Sequence, residues 1–474
     1  MNTKTNKTKQ IHTSHWTVKN ARGIRTTNGN TFLAFDPDKL KQLMPGYQAW
    51  DNWLVRDEDG FVAGVNGFRI LIALVRPVAN GFDSGERIAY FYSADGEHYV
   101  PGGFLYGDHK LYDDIREWSG STVLRADGKL QTFYTCAYGA EIDGVWQTVQ
   151  RLATAIQDVT LIAEEDSMET GLRIQAPSYH ALMGGVCEPD GYFYETPAQA
   201  SERETKWPTR HRVSVGSDQT ENNCMRDPFF YKDKRTGKRY LAFEANTGAG
   251  LHAPGHVRAE YVSANGLPKD GFAPTEDMLK ANGCIGIIEL TDDDMTFGQF
   301  HAPWLTANLV TDEIERINVV NHDGHVYLFC VGHGNKNALN SENADLTNRD
   351  YMLGFRAPHF GGPLTPLNGS GVVVQQKSYG DAYAGQMANQ QYVYSLLITP
   401  HKGQKSGVFP CVSYANYCNT GKGVEAVMNA GPSIKIEIDG LHTRIVGMMY
   451  DIQPAQVDAS READKGSATE HGYA

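Results

Sequence analysis

The chain is 474 residues long, with 41% hydrophobic and 21% charged residues and a formal charge of −13. This composition suits a globular protein with a sizeable core, and the acidic balance excludes a nucleic-acid backbone as the natural partner. No apolar run reaches the roughly 18 residues that a membrane-spanning helix needs, and 49 glycines with 24 tyrosines suit short strands, tight turns and aromatic surfaces for sugars.

Residues 1–15 are polar and read as a tail, with lysines but no apolar stretch behind them, so no ordinary secretory signal is visible. "DPDKLKQLM" (Asp36–Met44) and "DMLKANG" (Asp277–Gly283) read as helices. Elsewhere strand signals dominate. "RIAYFYSADGEHYV", "KLQTFYTC", "KRYLAFEAN", "HVYLFCVGH" and "SIKIEIDG" alternate or run β-branched and aromatic between turn residues. The long stretch 164–223 predicts an insertion on a rim, where loops of that size control access. From Val457 the chain is charged and nearly free of large apolar residues, a second tail that leaves 16–456 as one domain. Seven cysteines lack metal-ligand spacing and read mostly as small buried residues, with Cys411 and Cys418 able to pair in an oxidising compartment.

Five of the strands share a pattern. Asp51, Ser119, Glu315 and Tyr394 each precede a turn glycine (Gly60, Gly128, Gly324, Gly403) by nine residues, and Asp227 precedes Gly237 by ten. A polar residue opens each strand, a turn follows, and a second strand returns. Repetition of this kind marks a repeat architecture, and five such sheets arranged radially bring their innermost strands to one channel. The prediction is an all-β fold, a five-bladed β-propeller with these five residues lining one funnel. Chance recurrence of glycine turns in a glycine-rich β protein is the alternative.

Three of the five positions are acids: Asp51, Asp227 and Glu315. Glycosidic cleavage needs a proton donor for the leaving oxygen and a carboxylate facing the anomeric carbon, and crowding raises the pKa of one acid while a neighbour stays ionised. Trp50, Trp53 and Trp118 flank these positions as stacking walls. Arg226 and Arg316 each adjoin a carboxylate and keep it ionised or fix its rotamer. Taken singly, Arg226–Asp227 reads as a structural pair and "DEIER" as a solvated edge; their joint placement favours a catalytic site.

These residues resemble glycoside hydrolase family 68, the levansucrases, inulosucrases and related β-fructofuranosidases. The likeness runs from about Trp50 to Tyr450 through "WDNW", "VNGF", "EWSGS", "RDP", "FEANTG", "TDEIER", "YMLGF" and "PLNGSGVV". The resemblance implies a five-bladed propeller that takes fructose from sucrose by a retaining double displacement and passes it to a β-2,6 fructan, to sucrose or to water. It implies Asp51 as nucleophile, Asp227 as transition-state stabiliser and Glu315 as general acid/base. Trp50, Trp118, Ser119 and Arg226 then shape the fructosyl subsite, Glu313 and Tyr394 lie near the glucosyl side, and Glu244 orients the catalytic glutamate.

Two departures bear on the acceptor. "GHGNK" places His333 where many Gram-positive relatives carry arginine, with Lys336 retained, and "YSLL" puts Leu396 where a histidine is usual. No cofactor is required. Structural calcium, which some relatives bind, would use Asp312 and Glu221, too few oxygens to define a site. Relatives act outside the cell, although a cytoplasmic location stays open here. A hydrolysis-dominated β-fructofuranosidase, a β-2,1 inulosucrase, an inverting furanosidase and a non-catalytic fructan-binding propeller remain the rivals.

Overall fold

The computed structural model describes residues 11–450 apart from 41, 79–85, 108–114, 164–169, 181–185, 207–223, 252–273, 292–296, 340–341, 344, 347–348, 378–391, 405, 416–417, 420–423 and 426–427. Five antiparallel sheets follow one another along the chain. Blade I comprises Tyr47–Leu54, Arg69–Pro77, Arg87–Ser93 and Val100–Phe104, and blade II comprises Arg116–Leu124, Leu130–Ile142, Val145–Gln157 and Tyr179–His180. Blade III runs through Met225–Lys232, Arg239–Asn246, Gly283–Leu290 and Phe297–Thr306, and blade IV through Glu315–His322, His325–His333, Arg349–Ala357 and Val372–Lys377. Blade V has Val393–Ile398, Val408–Ala415, Ser433–Asp439 and His442–Met449. This is the predicted five-bladed β-propeller.

Each sheet is covered on both faces by its neighbours. That is why "RILIALVRP" is apolar and buried through its whole centre rather than alternating. Ile285, Ile287, Ile317, Val319, Leu328 and Leu353 pack between blades III and IV, while Val331, Met352, Ile398, Phe409 and Ile434 pack between IV and V. At about 1.5–3 kcal/mol per fully buried large apolar side chain, these inter-blade layers dominate the favourable side of folding. The ring closes where blade V meets blade I: Ala49 N–H donates to the Met428 carbonyl at 2.7 Å, and Asn52 Nδ2 to the Ser413 carbonyl at 2.9 Å.

All five turn glycines singled out by spacing have φ between 72 and 87°, a region that side chains with a Cβ avoid. Four of them close the expected hairpin. Gly60 differs, because Arg56–Asp57 first pairs in parallel with Val123–Leu124 of blade II before the chain returns to blade I.

Three expectations need correction. The N-terminal tail is shorter than residues 1–15: Ser14–His15 forms an outer strand parallel to Leu305–Thr306, and the following Trp16 is buried with its Nε1 donating to the Ser370 carbonyl at 2.8 Å. Apolar Ile11 and Trp16 anchor it against blades III and IV. Cys411 is a free, buried thiol in the blade V core, and the Cys418 side chain lies outside what the structure describes. The insertion is more than rim decoration, since Tyr194 is fully buried against Phe243 and Phe300 and its hydroxyl donates to the His301 carbonyl at 2.6 Å. The predicted helices shrink to Pro37–Lys39, capped by Asp36, and Glu276–Lys280, capped by Thr275. Among the described residues no helix is long and apolar enough to cross a membrane. The C-terminal tail lies outside the described residues.

Candidate active site

Every innermost strand carries a β-bulge at the same height. The pairing register slips between Trp50 and Trp53, Trp118 and Gly120, Arg226 and Phe229, Glu315 and Asn318, and Tyr394 and Leu397. The extra residue turns out of the ladder toward the channel. Asp51, Asp227, Arg316 and Ser395 take φ of 46, 55, 52 and 59° there, a left-handed conformation that costs each about 1 kcal/mol or more. In blade II the bulged residue is Ser119, followed by Gly120, where a Cβ would fall 1.9 Å from the Phe133 carbonyl oxygen. The repeat is therefore Asp51, Ser119, Asp227, Arg316, Ser395. Counting back from the glycines missed it by one residue in blades IV and V, because bulges and turn lengths vary independently.

The bulged side chains hold one another across blades. Ser119 Oγ donates to Asp227 Oδ1, and the Arg316 backbone N–H donates to Asp227 Oδ2 at 2.9 Å. Arg316 Nε donates to Ser395 Oγ at 2.5 Å and lies 3.8 Å from Asp51 Oδ1, while its Nη2 donates to the Asn52 carbonyl at 3.1 Å. Burial lifts the Asp51 carboxyl, and Asp227 adds to this; Arg316 and a hydrogen bond from Ser395 pull against it. Asp227 is the more enclosed of the two acids, with 5% of the residue exposed, whereas 20% of the Asp51 side chain is open.

One residue earlier on the same strands stands a second ring: Trp50, Trp118, Arg226, Glu315 and Tyr394. Arg226 is its centre. It binds Glu244 through Nε at 2.6 Å, Glu315 through Nη2 at 3.0 Å and Glu313 at 3.3 Å. Tyr394 Oη donates to Glu315 Oε1 at 2.5 Å. Glu244 is fully buried and reaches Glu315 through this guanidinium as well as lying in the same carboxylate cluster, where oxygens of Asp227, Glu244 and Glu315 lie within 4.8 Å of one another. Burial first, then the charge of Glu313, lifts the Glu315 carboxyl to about 7. Glu313 behaves oppositely: burial opposes its ionisation, but Lys336, His333 and Arg226 together hold it down at about 2. One acid thus carries a proton near neutrality beside one that does not.

His333 lies flat on Tyr394, ring centroids 4.3 Å apart, with Nδ1 2.9 Å from Asp350 Oδ2 and Nε2 3.6 Å from Glu315 Oε1. Burial alone would discharge the imidazole, but Asp350 and then the two glutamates raise it to about 10. Asp350 is fully buried and also accepts from Tyr392 Oη at 3.0 Å and the Gly334 N–H at 3.2 Å.

The structure brings together the three acids with Trp50, Trp118, Ser119, Arg226, Glu244, Glu313, Arg316, His333 and Tyr394. Trp53 is corrected: it is buried beneath the bulges, Nε1 bonded to Thr122 Oγ1 at 3.1 Å, and forms no stacking wall. Leu396 faces the core between blades IV and V and not the pocket, because it is the second residue of its bulge. Asp312 is buried with its carbonyl accepting from Asn246 Nδ2 at 3.0 Å, and Glu221 lies outside the described residues. Asp312 alone offers far fewer oxygens than the 6–8 or so that calcium takes. Missed from sequence were Ser395, Asn52 and Asp350. An aspartate opening the apolar strand "RDYMLGF" was the same signal that flagged "DEIER".

The levansucrase/invertase family model matches residues 5–452. The chain is 30% identical over 438 residues to a levansucrase of Bacillus amyloliquefaciens, covering 87% of this chain and 83% of the relative. It is also 30% identical to a protein of Zymomonas mobilis named extracellular sucrase, over 83% of this chain and 88% of that one. The crystal structure of Bacillus subtilis levansucrase superposes with a TM-score of 0.74 at 27% identity, covering 94% of this chain and 98% of the other. A levansucrase variant complexed with sucrose matches equally, with a TM-score of 0.74 at 26% identity over the same shares.

Proposed function

Because the chain belongs to the levansucrase/invertase family, glycoside hydrolase family 68, and is a fructosyltransferase acting on sucrose, we propose that Asp51, Glu315 and Asp227 carry a retaining double displacement. Asp51, the more open of the two channel aspartates, attacks the anomeric carbon of the fructosyl unit. Glu315 gives its proton to the departing glucose oxygen as the glycosidic bond breaks. Asp227, with a donor already on each oxygen, faces the oxocarbenium-like centre without attacking. Glu315, now ionised, takes the proton of the incoming acceptor hydroxyl, which displaces Asp51 and restores both acids. The observation that carries these roles is the pairing of Glu315, lifted to about 7, with the ionised Glu313 on the same Arg226 guanidinium. No metal enters any step.

Trp50, Trp118, Ser119 and Arg226 line the fructosyl side in this reading, and Glu313, His333 and Tyr394 the glucosyl and acceptor side. Fructan, sucrose and water are the acceptors, with β-2,6 levan as the main product and action outside the cell, in line with the names of the relatives. A time course of free glucose and free fructose from sucrose tests the whole reading. Glucose in clear excess of fructose is expected, followed by linkage analysis. Equal release would make hydrolysis the dominant activity, and release of neither sugar would overturn the catalytic assignment.

A further inference from the structure

Past the bulges the innermost strands continue away from the carboxylates toward their turns, and a small cavity of about 20 Å³, room for one small ion, lies among them. Trp53, Thr122, Phe229, Phe230, Leu397 and Arg56 are in its wall. Arg56 is only 8% exposed. Its Nη2 donates to the Ile398 carbonyl at 2.5 Å and its guanidinium carbon lies 5.0 Å over the Phe229 ring, but Nη1 has no hydrogen-bond partner. Among the described residues no carboxylate forms an ion pair with it. Asp57, also on the wall, spends Oδ1 on the N–H groups of Asp59 and Phe61, both at 3.0 Å. On the amide side of the same Ile398 sits Asn318, fully buried, whose Oδ1 accepts the Ile398 N–H at 3.0 Å and whose Nδ2 is left without a partner.

The N–H and carbonyl of one strand residue lie on the same strand edge, so Arg56 and Asn318 approach Ile398 from one side. Two spare donors flank it, and one of them carries a full positive charge. A guanidinium buried without a counter-charge is destabilising, and an unmet buried donor adds to that. Burial pushes the Arg56 guanidinium down to about 10, and the nearby Asp57 charge offsets this only in part. Water answers this poorly, since it brings two donors of its own to groups that need acceptors. A small anion in the cavity would accept from Arg56 Nη1 and neutralise its charge, and aromatic ring edges tolerate it.

We propose that this channel segment, beneath the catalytic floor and outside the sugar pocket, binds a small monovalent anion of the halide class on Arg56, with Asn318 as the neighbouring donor. The bound anion ties together the turn ends of blades I, IV and V. It stabilises the propeller without contacting sucrose.

Thermal unfolding of the full chain in sodium chloride and in sodium gluconate at equal ionic strength tests this, gluconate being too large for the site. Chloride should raise Tm saturably, by about 3 °C at a hundredfold excess over its Kd, with bromide acting alike, gluconate giving no rise, and the chloride rise absent in Arg56→Met. The KM for sucrose should not change with chloride. Should Arg56→Met not fold, anomalous diffraction from bromide-soaked crystals of the unaltered protein gives an independent reading, with a peak expected beside Nη1. Equal Tm in the two salts, a chloride rise that survives Arg56→Met, or ordinary water density at Arg56 would each overturn the proposal.

Discussion

The two rings of the funnel are made from adjacent residues of the same five strands, yet they hold charge in opposite ways. In the bulge ring each acid is met by donors from another blade: Ser119 and the Arg316 amide on Asp227, Ser395 and Arg316 near Asp51. One residue earlier, Glu313, Glu315 and Glu244 share the single guanidinium of Arg226, and Glu315 keeps a proton to about pH 7. A bulge points its residue at donors on neighbouring strands. The residue before it, still in the ladder, meets mainly other side chains, and there the carboxylates outnumber the cations. Hydrogen-bonded carboxylates and an acid raised toward neutrality therefore stand at adjacent levels of one funnel.

The sharpest break in this contrast is removal of either reacting acid. Asp51→Asn should lower kcat on sucrose by about 10⁴-fold or more, and Glu315→Gln by about 10³-fold, with circular dichroism unchanged in both. Near-normal turnover in either variant would sink the role given to that residue. The loss of the acid should also register as a gain in stability. The folded Glu315 carboxyl sits at about 7 against an ordinary value of 4.5, so the folded state binds the extra proton. Its contribution is fully present below about pH 4.5 and is lost as pH rises through 7. Glu315→Gln should thus be more stable than the unaltered protein at pH 8, by up to about 3 kcal/mol, and similar near pH 4. Denaturant unfolding at the two pH values decides it; equal stability at pH 8 would mean the carboxyl is not raised.

Smaller effects sharpen the same contrast. Glu313 is the leading charge raising Glu315, so Glu313→Gln should move the alkaline limb of the kcat/KM profile to lower pH. A limb that stays near 7 would assign the shift to burial alone. Ser395→Ala removes one donor from Asp51 and the acceptor of Arg316 Nε. We expect a fall in kcat of about tenfold with KM little changed, and a rise in KM alone would mean a substrate contact instead. Replacing His333 by Asn should change the ratio of transfer to hydrolysis more than sucrose cleavage. If the ratio holds, the imidazole serves Glu315 and not the acceptor.

Much of this site was legible because its signals are local. Acids inside apolar strands, "DEIER" above all, are too costly to place in a dry core, and glycines at left-handed turns recur at nearly constant spacing. Those two facts lead to the five blades, the three acids, Arg226 and Arg316. Ser395 was read past because serine in a strand carries no charge to explain, and Trp53 was misplaced because a bulge reverses the face of every residue after it.

The sequence by itself determined the five sheets, their turns and which residues bring charge to the axis, since strand patterning, turn geometry and burial cost act within a few residues. Only the tertiary structure decided which of those charges lie together. The bulges shift facing by one residue, and contacts such as Arg316 to Asp51, Arg226 to Glu315 and His333 to Asp350 join strands far apart in the chain. Those distances set whether an acid is an anion or a proton donor, and no local pattern encodes them.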